Sequence, residues 1–206
     1  MLLTGAGFNA SGWYPHVAAL ARQHPVYGVD MPGDPNPSIW RAPLTPPASC
    51  AAWLDELLAR LGDRPAHLVG MSYGGWVAMN QAIRAPGRVM WAGSRGYRME
   101  PKFPAILTDD ELRAINVPAL LITGARSAML TPAEARGRGS LMPRAEVAVV
   151  PGSHGGFSRI DGLNDRIAAF IDAQAAGNQA GQPARPPTAT REDGTVQAKT
   201  RPKEDD

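Results

Sequence analysis

The chain has one cysteine, Cys50, among 206 residues. No disulfide can form within it, and a reducing compartment is the setting that fits. No apolar run approaches the length of a membrane span. The opening stretch, residues 1–13, has neither a basic head nor a long apolar core, so it is not expected to act as a signal peptide. Charge of one sign is also missing: 21 Lys and Arg against 19 Asp and Glu leave a net +2, with no basic stripe or block. Neither nucleic acid nor a membrane is therefore an expected partner. These absences together describe a soluble protein of the cytoplasm.

What remains is ordinary globular material, 44% hydrophobic and 19% charged, long enough for one domain with a sizeable core. The composition changes near residue 174. From there to 206 no aromatic residue occurs and Val196 is the one branched aliphatic, too little apolar surface to offset the entropy of ordering the backbone. The expected division is a folded domain over 1–173 and a disordered tail over 174–206.

Within 1–173, short apolar runs alternate with amphipathic stretches. Leu2–Thr4, Val26–Val29, Ala66–Val69, Ala119–Ile122 and Val147–Val150 read as strands, and Val89–Ala92 as a short further one. The runs show no polar alternation, as in parallel strands covered on both faces. Helical patterns span Trp13–Arg22, Ala48–Leu61, Tyr73–Arg84, Asp109–Ile115 and Asp161–Ala173. Capping boxes, Thr108 with Glu111 and Thr131 with Glu134, mark two helix starts. This order predicts an open, doubly wound, mostly parallel α/β sheet.

Between the third strand and its helix lies Gly70-Met71-Ser72-Tyr73-Gly74, a G-x-S-x-G run in strand–turn–helix context. A serine on so sharp a turn is lifted above the sheet to the positive end of the following helix. The plain alternative is a glycine-rich turn with Ser72 as a helix cap. A serine nucleophile needs a base, and four histidines are available. His16 falls within a helix, His24 in a turn, and His67 inside a strand where a core histidine is the simpler account. His154 lies in Pro151-Gly152-Ser153-His154-Gly155-Gly156, directly after the last strand. Ser72 and His154 thus both follow the carboxyl ends of strands, where open α/β sheets build their sites.

Residues 1–173 resemble the α/β-hydrolase family. Thr4-Gly5-Ala6-Gly7-Phe8-Asn9 followed by Trp13 looks like its first oxyanion loop. Val29-Asp30-Met31-Pro32-Gly33-Asp34-Pro35 with Ser38 looks like its D-x-x-G…S turn. The elbow, Val117–Gly124 and the His154 loop follow in the family's order. The resemblance implies Ser72 and His154 as catalytic residues, with the backbone N–H groups of Ala6 and Tyr73 as oxyanion donors. It implies acyl transfer on a small-molecule ester through an acyl-enzyme, as in a carboxylesterase, with no metal or organic cofactor. Thioesterase or acyltransferase chemistry would use the same residues.

Three departures bear on that expectation. Thr4 stands where the family usually has histidine. Ser127 stands where it has the triad acid, in the loop after Ala119–Ile122, so the acid is unassigned; Glu100 is an alternative carboxylate, and Asp109, Asp110, Glu111 and Glu134 have capping roles. The chain also begins at the oxyanion loop and is short after the elbow helix, which implies a reduced or absent cap and sheet edges open to self-association. Loss of the triad's acid costs about 10⁴-fold in serine proteases. A catalytically weak or inactive hydrolase-like domain, with a binding role or none, is therefore the competing reading.

Overall fold

The unalternated apolar runs pair into one six-stranded sheet in which every neighbouring pair is parallel. The computed structural model describes residues 1–32, 46–62, 64–95, 106–154 and 161–179. Its strands are β1 (Leu2–Leu3), β2 (Gly28–Val29), β3 (Ala66–Met71), β4 (Val89–Arg95), β5 (Ala119–Gly124) and β6 (Ala145–Val150), arranged β2-β1-β3-β4-β5-β6. The chain moves outward from β1 to β2, then returns to the other side of β1 to lay down β3. The carboxyl ends of β1 and β3 therefore flank the point where the winding reverses, which is where such sheets open a crevice.

A 3-10 turn (Ala10–Trp13) leads into α1 (Tyr14–Leu20); the remaining helices are α2 (Pro47–Arg60), α3 (Tyr73–Arg84), α4 (Asp109–Arg113), α5 (Pro132–Gly139) and α6 (Leu163–Gln179). Side chains alternate across each strand, so the sheet carries two cores. Leu3, Leu68, Ala92 and Leu121 face α2 and α3, against Leu54, Leu58, Trp76 and Val77. Leu2, Val69, Trp91, Leu120 and Ile122 face α1 and α6, against Trp13, Leu20, Ile167 and Ile171. Both capping boxes are present: Thr108 and Thr131 each accept from the N–H three residues on, and Glu111 and Glu134 each return a bond to the cap residue's own N–H.

The doubly wound parallel sheet is as expected from the sequence, with differences in the lengths of its elements. Val89–Ala92 belongs to a seven-residue strand, β4, that runs on to Arg95 in the middle of the sheet. Gly93 and the polar Ser94 and Arg95 hide that continuation from a reading based on apolar runs. The Trp13–Arg22 pattern divides because Asn9 caps an earlier 3-10 turn, accepting from the Ser11 N–H, and Pro15 opens α1 within its first turn. The last helix continues past residue 173 to Gln179. Ala173, Gln174, Ala175 and Ala176 supply little to bury but are good helix formers. Residues 180–206 of the expected tail lie outside the described residues.

Leu68 is fully buried at the centre of β3. Leu68→Ala is expected to cost about 2–5 kcal/mol of stability, read as a lowered urea midpoint with unchanged slope.

Candidate active site

Among the described residues Ser72 is the one non-glycine residue with positive φ, at φ 52° and ψ −115°. A side chain in that region costs on the order of 1–3 kcal/mol and persists only where its surroundings enforce it. Here the enforcement is close backbone packing. A Cβ on Gly70 would stand 2.2 Å from the Gly74 carbonyl carbon, and one on Gly74 would stand 2.3 Å from the Leu3 carbonyl oxygen. The strand entering the turn, the helix leaving it and the end of β1 thus touch backbone to backbone. The Ser72 carbonyl accepts from the N–H groups of Gly75 (2.9 Å) and Trp76 (3.2 Å), the first bonds of α3. Its side chain makes no capping bond. The hydroxyl lies 3.3 Å from His154 Nε2 instead.

His154 reaches Ser72 from the loop after β6. That loop is tied to the one after β5 by two backbone bonds, Ala125 N–H to Val150 O at 2.8 Å and Arg126 N–H to Gly152 O at 2.9 Å. Gly152 turns at φ 114°. Ser127 lies in the β5 loop, 5% exposed. Its N–H donates to the Gly124 carbonyl (3.0 Å) and its Oγ accepts from the Leu130 N–H (3.3 Å), while Thr123 Oγ1 donates to the Leu130 carbonyl (2.8 Å). The residue at the family's acid position therefore folds its own loop. Glu100 lies outside the described residues, as do Gly33, Ser38, Gly155 and Gly156. Asp109, Asp110, Glu111 and Glu134 sit in the first turns of α4 and α5.

The first loop runs beside the elbow: the Cβ position of Gly5 is 3.3 Å from the Met71 carbonyl oxygen and 3.4 Å from Ser72 Cβ. A turn closed by Phe8 N–H to Gly5 O, with Gly7 at φ 78°, carries Ala6 at its bend. Tyr73 is the first residue of α3, so its N–H lies at the positive end of the helix dipole. Thr4 is buried, its Oγ1 3.5 Å from the Val29 carbonyl. Asp30 has a role that the motif alone did not specify: its Oδ1 accepts from the Ala10 N–H at 2.6 Å and pins the far side of the first loop.

The other three histidines lie elsewhere. His16 joins α1 to α6 through Nδ1, 2.6 Å from Asn164 Oδ1. His24 Nε2 is 3.1 Å from Asp172 Oδ1. His67 enters β3 at the end of the strand opposite Ser72; its Nδ1 is buried without a partner among the described residues. Burial, and next the charge of His24, push its pKa down to about 4. Among the described residues no three His, Cys, Asp or Glu side chains converge as metal ligands would, and no helix is long and apolar enough to cross a membrane.

The model of a family described as the alpha/beta hydrolase family matches residues 1–197. The carboxylesterase YbfK of Bacillus subtilis strain 168 is 29% identical, covering 83% of this chain and 79% of the relative. That match extends over 234 positions, more than the covered part of a 206-residue chain can fill, so the relative carries internal segments with no counterpart here. The crystal structure of that esterase superposes with a TM-score of 0.76 at 26% identity, over 84% of this chain and 82% of the other. The crystal structure of naproxen esterase from Bacillus subtilis reaches the same TM-score at 24% identity, over 82% of each chain; at that identity the likeness is one of fold.

Two outcomes follow from the packing described. Gly74→Ala drives a Cβ into the β1 backbone and is expected to cost about 3 kcal/mol or more. Gly87→Ala, with nothing within 4 Å of its Cβ position, is expected to stay within about 0.5 kcal/mol of the parent in the same urea titration. His67 takes up a proton near pH 6.5 when unfolded but only near 4 when folded. The unfolded state then binds more protons across that window, so stability falls as pH drops from about 6.5 to about 4. His67→Phe is expected to flatten the fall in urea midpoint over the same range.

Proposed function

Because the chain belongs to the alpha/beta hydrolase family, we propose that it hydrolyses carboxylic esters of small molecules by serine catalysis, with Ser72 as nucleophile and His154 as base. The observation that carries this reading is the 3.3 Å approach of His154 Nε2 to a Ser72 hydroxyl held on a strained turn. A contact of that length in an unliganded enzyme is one that shortens when substrate is bound. In the forward step Ser72 Oγ adds to the ester carbonyl carbon while its proton passes to His154 Nε2. The N–H groups of Ala6 and Tyr73 receive the negative charge on the carbonyl oxygen. Collapse breaks the bond to the alcohol oxygen, which leaves with the proton from His154, and the acyl group stays on Ser72. Water activated by the same imidazole then releases the acid and restores the hydroxyl.

Relatives named as carboxylesterases support the ester as substrate. Thioesters or an acyl acceptor other than water need no different residues. Ser127 at the acid position favours a second reading, a hydrolase-like domain of weak or no turnover, because a hydroxyl supplies no charge to hold an imidazolium. Burial at α2 raises the pKa of the Cys50 thiol to about 11, which leaves it unreactive; the cytoplasmic setting rests on a single cysteine that can form no internal disulfide. Self-association would use the sheet edges, of which β6 is the longer. We take the hydrolase domain to run through α6 to Gln179, six residues past the boundary expected from composition, and the tail to be 180–206.

A fluorophosphonate probe, read by intact mass, is expected to add once to the parent protein and not to Ser72→Ala. No labelling of the folded parent removes the esterase reading in favour of the second. In turnover of a short activated ester, His154→Ala is expected to lower kcat by on the order of 10³-fold or more.

A further inference from the structure

At the end of the sheet away from Ser72, strands β1, β2 and β3 begin around an open cavity of about 550 Å³, within the size range of small-molecule sites. Leu20 at the end of α1, Leu58 near the end of α2 and Ile171 of α6 are buried in its wall. Tyr27 and Leu61 also line it but are 44% and 39% exposed, so the mouth of the cavity leaves large apolar groups to solvent. His67 enters β3 five positions before Ser72, which sets the cavity about 16 Å from the elbow. The chain beyond α6, residues 180–206, has no aromatic residue and one branched aliphatic, Val196. It offers little with which to fill apolar walls.

The ionisable side chains in the wall are nitrogen bases, His24, His67 and Arg64, and no carboxylate joins them among the described residues. His24 Nε2 is engaged by Asp172 at 3.1 Å, and Arg64 is exposed. His67 differs from both. Its Nδ1 is sealed without a partner, while its Nε2 is not sealed and has no hydrogen bond among the described residues. The Met1 amine donates to the His67 carbonyl at 2.7 Å. Burial lowers the pKa of this amine to about 6 and, with the charge of His24, that of His67 to about 4. At neutral pH neither group therefore offers a cation to an anionic ligand, and a carboxylate would lose its water there with little in return. A hydroxyl both donates and accepts, so it satisfies a neutral imidazole in either tautomer. The rings of His24 and His67 stand 6.2 Å apart at 55°, and with Tyr27 they give a flat aromatic body faces and edges to pack on.

We propose that this cavity binds a small uncharged aromatic alcohol, with its ring among Leu20, Leu58 and Ile171 and its hydroxyl bonded to His67 Nε2. The site is separate from the elbow and does not depend on Ser72 being a nucleophile.

The test titrates 2-naphthol, naphthalene and 2-naphthoate with the full chain near neutral pH, followed by the fluorescence of each compound. One 2-naphthol per chain is expected to bind saturably, about tenfold tighter than either of the others. His67→Phe keeps a ring in the wall and removes its nitrogens. It is expected to bring 2-naphthol down to the affinity of naphthalene while leaving naphthalene unchanged; an equal loss for both compounds overturns the bond to His67. Leu61→Trp puts a larger ring at the mouth and is expected to abolish binding, as is Ala66→Phe if the first variant melts early. Binding of 2-naphthol that neither variant changes places it elsewhere and overturns the proposal. Equal affinity for 2-naphthol and naphthalene in the parent, tighter binding of 2-naphthoate, or no saturable binding at all does the same. None of these readouts needs turnover, so failure here leaves the esterase reading where it stands.

Discussion

The contact on which the rest of this molecule depends is between backbone and backbone. At Gly70 and Gly74 the elbow brings strand, helix and the neighbouring strand closer than any side chain would permit. That closeness holds Ser72 at a positive φ that a serine would otherwise leave. It also sets the first turn of α3 against the end of β1 and leaves Gly5 of the first loop beside Ser72. The strain is local, and two packed cores are available to sustain it.

The two ends of β3 have opposite characters. At the carboxyl end the chain leaves the sheet through Ser72, beside two glycine-rich loops and a histidine. At the other end His67 is held neutral by burial and by its neighbour His24. A histidine kept uncharged inside the sheet lowers stability only as the pH falls from about 6.5 toward about 4, and it sits at the end of the strand away from Ser72. His67 lies at the start of β3 and His154 beyond the carboxyl end of β6, so placement relative to the strand ends, and not the type of side chain, separates the two.

Much of this was readable from the residues because local and long-range requirements agree. Five of the six strands appear as apolar runs, and the glycines around Ser72 announce a turn that only they permit. The sixth strand was harder: β4 carries Gly93, Ser94 and Arg95 through the centre of the sheet, and its pairing with β3 and β5 overrides their low strand preference. His154 and Ser72 stand 82 positions apart in the chain, so spacing could nominate the pair but not measure its distance. The role of Asp30 was hidden for the same reason. Its partner, the N–H of Ala10, is a backbone group, and sequence carries no mark for it.

The two backbone bonds between the loops after β5 and β6 have a consequence for how such a site can change over generations. They make the position of His154 a property of the register between two neighbouring strands, since the donors are the N–H groups of Ala125 and Arg126 and the acceptors are the carbonyls of Val150 and Gly152. None of these groups depends on which side chain stands at residue 127. The serine at 127 therefore has no part in holding His154 in place, facing Ser72. The side chain at 127 and the placement of His154 are separately heritable, and either can change while the other stays.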